Sequence, residues 1–336
     1  MKAYELHPNE GFASVQSVER PDPPAPGPHG VRVRMRAASL NFRDLAMARG
    51  AKARKAPVIP LSDGAGEVAA VGSAVTRFKV GDRVAAAFFP TWLRGELLEE
   101  HHNNALGGSL DGVLAEHVVL PETAWVRLPD SYSFEQGATL PCAGVTAWHA
   151  LFEAASLKPG DHVLVQGSGG VSIFALQLAR AAGAQVIATS SSADKRARLE
   201  KLGAKTTIDY RENTNWGELA RAATGGRGID VAVEVGGSGT FDQTVKSLRF
   251  GGTMSLIGVL TGVQGPVNTH QVLHKALRVH GVYVGSVEMF EAFVRALVAH
   301  EIEPVVDRVF PFRETKAAYE YLASGAHFGK VVIRID

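Results

Sequence analysis

Cysteine is nearly absent from this chain: one residue, Cys142, in 336. No internal disulfide can form, which excludes a disulfide-stapled secreted framework. An excess of either charge is also missing. Lys plus Arg total 35 and Asp plus Glu total 34, so there is no basic stripe for nucleic acid and no cationic face for a membrane. No uninterrupted apolar run reaches the roughly 18 residues of a membrane span. The stretch Met1–His7 reads as a first strand and lacks the apolar core of a signal peptide. A cytoplasmic location is expected. What is abundant is apolar residue content, 46%, enough for two domains with cores of their own. Repeats and low-complexity tracts are absent apart from the proline-rich loop 21–28.

The most informative segment is Val163-Leu-Val-Gln-Gly-Ser-Gly-Gly-Val-Ser172, followed by a helical pattern to Ala182. It reads as a buried strand, a glycine turn and a helix, the order that phosphate binding needs. Gly167 permits the tight turn. Gly169 lets the backbone approach a pyrophosphate, and the helix start offers free N–H groups and the positive end of its dipole. Gly167, Ser168, Gly169, Gly170 and Val171 are the expected cradle. Ser172 stands where the third glycine of the fingerprint often sits.

The next strand, Ala184–Thr189, chooses between cofactors. An acid at its tip would accept hydrogen bonds from ribose hydroxyls and repel a 2′-phosphate. Here the strand runs into Thr189-Ser-Ser-Ser192 and Ala193-Asp-Lys-Arg196, with no acid at the tip. Ser190, Ser191 and Lys195 suit a phosphate dianion, so NADP(H) is expected over NAD(H). A serine N-cap for the helix Asp194–Leu202 is the structural alternative.

The chain changes texture along its length. Short strand-like runs (Val15–Val18, Gly30–Ala37, Gly66–Val71, Asp82–Phe88, Leu114–Val119) with Gly and Pro punctuation predict a barrel-like β domain. From Asp161 strands alternate with helices. The runs His162–Gln166, Gln185–Ala188, Thr206–Asp209, Asp230–Val235, Gly252–Ile257 and Arg278–Tyr283 predict a doubly wound parallel α/β sheet. The stretch Arg278–Gly285 reads as its outermost strand, an edge that a two-fold homodimer would cover. Two helices and two strands follow.

Six segments in this order and spacing carry a resemblance. They are Ser39-Leu-Asn-Phe-Arg-Asp44, Ser62-Asp-Gly-Ala-Gly-Glu-Val68, Val80-Gly-Asp-Arg-Val84, Leu140-Pro-Cys-Ala-Gly-Val-Thr-Ala-Trp148, the glycine turn, and His327-Phe-Gly-Lys330. Over nearly its whole length the chain resembles the medium-chain dehydrogenase/reductase superfamily. The resemblance implies a GroES-like β-barrel catalytic domain over 1–128 and 287–336, and a Rossmann NADP(H)-binding domain over 129–286.

Zinc enzymes of this superfamily bind catalytic metal with a Cys, a His followed by Glu, and a second Cys. The matching positions here are Asn41, Ser62 with Asp63, and Cys142. One thiol, an amide and a hydroxyl do not supply the three ligands that catalytic zinc needs. The region matching the structural zinc lobe, about 88–112, has no cysteine. His101-His102 lies in a polar loop and is not read as a metal site. The chain therefore resembles the zinc-free branch, quinone oxidoreductases and enoyl reductases, and no metal is expected.

Without zinc, a conjugated carbonyl or a quinone is the easier hydride acceptor, because oriented donors can stabilise the enolate charge. Asn41 is the first candidate donor, with a loop-stabilising role as its alternative. Thr146 and Asn41 match positions that touch the nicotinamide in relatives, and Lys275 matches a proposed proton donor. Gly236, Gly258 and Val259 follow strands four and five and point at the ribose and nicotinamide. Tyr210 matches a residue beside the adenosine phosphate, and Phe328 one on the nicotinamide side. Phe88, Phe89 and Trp92 are expected to line the pocket of a small hydrophobic substrate. Two other readings stay open: an alcohol or aldehyde dehydrogenase, and a non-catalytic NADPH-binding protein.

Overall fold

The computed structural model describes residues 1–9, 11–53 and 55–336, with the Lys52 side chain left aside. It divides into two compact units: Met1–Val145 with Gly285–Asp336, and Thr146–Val284.

In the first unit a hairpin of β1 (Lys2–Leu6) and β2 (Val15–Glu19) stands beside a seven-stranded sheet. That sheet begins with β3 (Gly30–Leu40), β4 (Asp63–Val71), β5 (Arg83–Ala86), β6 (His117–Pro121) and β7 (Trp125–Arg127). The long strand β3 alternates inward Val31, Val33 and Met35 with outward arginines, then turns wholly buried at Ala37–Leu40. One face of its first half meets solvent, whereas its second half is enclosed. Helix α1 (Phe42–Arg49) follows at once, and Asp44 accepts the Asn41 N–H at 2.7 Å as a first-turn cap.

Six parallel strands make the second unit: β8 (His162–Gln166), β9 (Gln185–Thr189), β10 (Thr206–Ile208), β11 (Ile229–Glu234), β12 (Leu248–Leu256) and β13 (Arg278–Gly281). Their order is β10-β9-β8-β11-β12-β13, the doubly wound arrangement whose strand order reverses beside β8. Between them run α2 (Gly170–Ala181), α3 (Ala193–Lys201), α4 (Trp216–Ala222), α5 (Ser238–Ser247) and α6 (Thr269–His274). Leu164, Ile187, Ala232, Val245 and Met254 are among the core residues.

The chain then returns to the first unit through α7 (Val287–Ala299), β14 (Val306–Pro311), α8 (Thr315–Ala323) and β15 (Lys330–Arg334). Strand β15 pairs antiparallel with the second half of β3, Val331 opposite Leu40. Among the described residues no helix is long and apolar enough to cross a membrane.

Two expectations change. The segment 129–145 packs with the first unit rather than the nucleotide unit. Ser39 Oγ donates to Ala138 O at 2.9 Å and the Cys142 N–H donates to Asp63 at 3.2 Å, which ties this segment to β3 and β4. The last parallel strand ends at Gly281, not Tyr283 or Gly285, because Val284 takes a left-handed backbone (φ 55°) that no strand accommodates. Phe88, Phe89 and Trp92 are buried, and Phe89 packs edge to face on both of the others.

Candidate active site

In the second unit, β8 ends in the glycine turn and α2 begins at Gly170 with Gly169 as its N-cap. Gly167 has φ 71°, a left-handed turn that favours glycine. A Cβ added at Gly167 or Gly169 would meet open space, which leaves the backbone approachable over the helix start. The residues fit a pyrophosphate: a twelve-residue helix with its first N–H groups unclaimed within the helix. Ser168, Gly170 and Val171 lie in the same turn. Ser172 takes over the third glycine's role by a different route. Its Oγ donates to Gln166 O at 2.6 Å, closing helix onto strand.

Beneath this turn lies a group that sequence reasoning missed. Glu234 is wholly buried at the end of β11. One of its oxygens accepts from Gly236 N (2.7 Å), Gly237 N (2.9 Å) and Thr240 Oγ1 (2.6 Å). The other accepts from Gln166 Nε2 (2.7 Å) and Thr244 Oγ1. The carboxylate thereby shapes the Gly236–Gly237 loop and ties it to the last residue of β8. Gly258 is equally constrained: a Cβ there would lie 1.9 Å from Val235 O. Val259, next to it, is exposed.

At the tip of β9, Ser190 is buried and Ser192 caps α3, accepting from Lys195 N at 3.4 Å. The capping reading of one serine therefore holds, and Ser191 and Lys195 remain beside it. Sequence reasoning also missed Arg196. Its guanidinium donates to Ser190 O at 2.9 Å and pairs with Asp209, the residue after β10. Burial works against the Asp209 carboxylate, but the Arg211 and Glu212 N–H groups and Arg196 hold its pKa below the usual carboxylate range. Tyr210 follows, partly exposed.

Lys275 is placed elsewhere than expected. Its ammonium donates to Val245 O, Lys246 O and Leu248 O at 2.8–2.9 Å, the carbonyls at the end of α5. All three protons are spent on a helix C-terminus, so Lys275 leaves the candidate catalytic set. Thr146 is buried.

The first unit gathers the other cluster. Lys330, at the start of β15, is 3% exposed and Asp63 is 0% exposed. The Lys330 ammonium donates to Leu40 O at 2.7 Å and to Asn41 Oδ1 at 2.5 Å, and lies 3.6 Å from Asp63 Oδ2. Asp63 also accepts from Ser62 Oγ at 2.7 Å and from Cys142 N. Asn41 Nδ2 is buried with no hydrogen-bond partner. Burial pushes the Asp44 carboxyl up to about 6; the Arg43 charge and the Asn41 N–H pull the other way, and Asp63 adds to the rise. Burial, with Asp63 beside it, also raises the Cys142 thiol pKa well above its ordinary range. Arg43 stacks 4.5 Å over Phe88 and donates to Leu106 O. Phe328 is fully buried in this unit.

This cluster stands at the positions that match the superfamily's zinc ligands. The matching positions offer an amide, a hydroxyl and one thiol, with an ammonium already seated on the amide oxygen. A divalent cation there would find one thiol where three ligands are needed and would stand against the Lys330 ammonium. The residues present do not fit zinc.

Residues 27–130 match the alcohol dehydrogenase GroES-like domain family and residues 170–299 the zinc-binding dehydrogenase family. A zinc-type alcohol dehydrogenase-like protein of Schizosaccharomyces pombe is 44% identical, covering 97% of this chain and 96% of its own. A quinone oxidoreductase of Pseudomonas aeruginosa is 33% identical, with 93% of each covered. Among solved structures, a putative alcohol dehydrogenase of Sinorhizobium meliloti is 40% identical with TM-score 0.90, both chains fully covered. A mycobacterial protein solved with NADPH is 28% identical with TM-score 0.84, again over the whole of both chains. This chain, with its GroES-like unit and its nicotinamide-dinucleotide-binding Rossmann unit, belongs to the medium-chain dehydrogenase/reductase superfamily of oxidoreductases.

Proposed function

We propose that this protein is an NADPH-dependent reductase that delivers hydride to a conjugated carbonyl or a quinone without catalytic zinc. The observation that carries this reading is the lysine-centred cluster at the positions matching the metal ligands. A metal-free site cannot polarise a simple carbonyl as a Lewis acid does. It can hold a donor against the oxygen that turns negative when a conjugated acceptor is reduced. When bound, the reduced nicotinamide supplies the hydride. The Gly167–Val171 turn, Gly236, Gly258, Val259, Tyr210, Phe328 and Thr146 are proposed to hold and orient the cofactor. Asn41 Nδ2 is proposed to meet the acceptor oxygen. The testing experiment is NADPH oxidation with quinones, enones, aldehydes and enoyl thioesters as acceptors. Turnover confined to simple aldehydes would favour the dehydrogenase reading, and no turnover a binding role.

Elemental analysis of dialysed protein is expected to give far less than one zinc per chain, and a strong chelator is expected to leave turnover unchanged. One tightly held zinc would overturn the metal-free reading.

NADPH preference rests on Ser190, Ser191 and Lys195, with Arg196 as a further cation. Lys195→Ala is expected to weaken NADPH about 10-fold or more and NADH less than about 2-fold, since a charge-assisted phosphate contact is lost. Fluorescence titration with both cofactors checks this. Equal weakening of the two would place Lys195 outside the phosphate site.

A homodimer is proposed through β13. All four of its residues are exposed at the sheet edge, with Leu273 and Phe250 exposed nearby, and an uncovered edge invites pairing. Val282 N donates inward to Leu256 O, so by strand alternation the Val279 N–H faces outward. Light scattering is expected to give twice the chain mass, and Val279→Pro to shift it toward monomer. A monomer mass for the unaltered protein would refute the pairing.

A further inference from the structure

We propose that Lys330 is a positioning residue which fixes the Asn41 amide with its N–H group aimed at the reacting oxygen. This rests on the reductase reading above. An ammonium has donors and no acceptor. The Asn41 atom 2.5 Å from Lys330 Nζ is therefore the carbonyl oxygen, and the amide cannot flip without losing that bond. Lys330 itself donates to two acceptors, Asn41 Oδ1 and Leu40 O, and lies 3.6 Å from Asp63 Oδ2 as its ion-pair partner. Asp63 is held in turn by Ser62 Oγ and Cys142 N. Asn41 is the N-cap residue of α1 and shares a capping box with Asp44. What remains is Nδ2, buried and unpartnered. An unmade bond of that kind is costly unless something completes it. A cation on the amide oxygen also polarises the amide and strengthens its N–H as a donor. The flipped amide would present an oxygen to the developing negative charge and repel it.

The experiment is a double-mutant cycle of Lys330→Met and Asn41→Leu, read by kcat and KM for the preferred acceptor. Each single variant is expected to lower kcat about 10- to 100-fold, the usual range for losing one oriented donor. NADPH affinity by fluorescence should stay within about 2-fold. The double variant should be no worse than the poorer single, because Lys330 acts through Asn41. Lys330→Arg, another donor-only cation, should recover part of the rate. Additive losses, or a Lys330→Met rate within about 2-fold of the unaltered protein, would overturn the proposal. Lys330→Met alone leaves Asp63 buried without its cation, so Asp63→Asn/Lys330→Met is made beside it to keep the fold testable. A second readout needs no turnover: in asparagine-labelled protein the Asn41 side-chain amide resonance should move on Lys330→Met. An unmoved resonance overturns the proposal. Absence of turnover in the unaltered protein would instead count against the reductase reading, and the resonance then decides the role of Lys330.

Discussion

Glu234→Ala is expected to destabilise the second unit by about 3–5 kcal/mol, the range for breaking a buried, hydrogen-bonded charge site. Glu234 accepts five donors, two of them backbone N–H groups of Gly236 and Gly237. Truncation removes all five acceptor contacts at once. Gln166 and Thr244 can still bond each other at 2.7 Å, but the two backbone N–H groups lose their shared acceptor. Glu234→Gln is expected to recover little, since its amide nitrogen must face donors on one side. Chemical denaturation followed by near-UV circular dichroism measures the loss. The same variant should weaken NADPH and NADH alike, because the loop it frees is proposed to face the ribose rather than the 2′-phosphate. A loss below about 1 kcal/mol would mean that water replaces the carboxylate without strain.

The second large effect is expected at the opposite end of β11, far from any proposed chemistry. Asp230 accepts two bonds from Arg227 (2.6 and 2.8 Å), one from Arg249 Nε (2.5 Å) and one from His162 N (2.9 Å). Burial opposes its ionised form, but the Arg227, His162 N–H and Arg249 contacts outweigh that and lower its pKa to about 2. A depressed carboxyl pKa adds stability above the unfolded value of 3.8, and that stability is lost as pH falls through the folded value. A shift of about two units corresponds to roughly 2 kcal/mol after allowance for the solvent around Arg227. Asp230→Asn is expected to lower the melting temperature at pH 7 and to flatten the stability curve between about pH 4 and pH 2. Asp44 works in the opposite sense. Its raised carboxyl pKa makes stability fall as pH rises from 3.8 to about 6. Thermal melts across pH 2–7 separate the two windows. An Asp230→Asn curve parallel to that of the unaltered protein below pH 4 would show that the ion pairs do not govern acid sensitivity.

Much of this was legible in the chain because local chemistry wrote it there. The run Val163–Val165 is apolar, the turn after Gln166 needs Gly167 at positive φ, and the strand stands where that pattern says, while the helix begins earlier than its apolar pattern, at Gly170. The serine cap at the tip of β9 was legible for the same reason. Lys275 misled because position along the chain says nothing about which way an ammonium turns, and three helix-end carbonyls lay within reach. Glu234 carried a faint signal, an acid closing the apolar run Val231–Val233. Lys330 carried the same kind, a charge opening the run Val331–Ile333. Neither signal names a partner, since burial of charge is decided by what folds over it. Arg196, within α3, and Asp209, just after β10, meet across separate elements, where no periodicity points.

The bond between Lys330 and Asn41 spans 289 residues, and the whole second unit is encoded inside that interval. During synthesis the nucleotide-binding unit therefore emerges complete while the first unit still lacks β14 and β15. Until then the second half of β3 is an unpaired edge and Asp63 has no ammonium beside it. The ribosome thus makes the cofactor's cradle first and delivers the side chain that orients the donor near the end. A chain interrupted before β15 would carry a finished Rossmann sheet and an unfinished partner, a species for chaperones and proteases to find by its open strand edge.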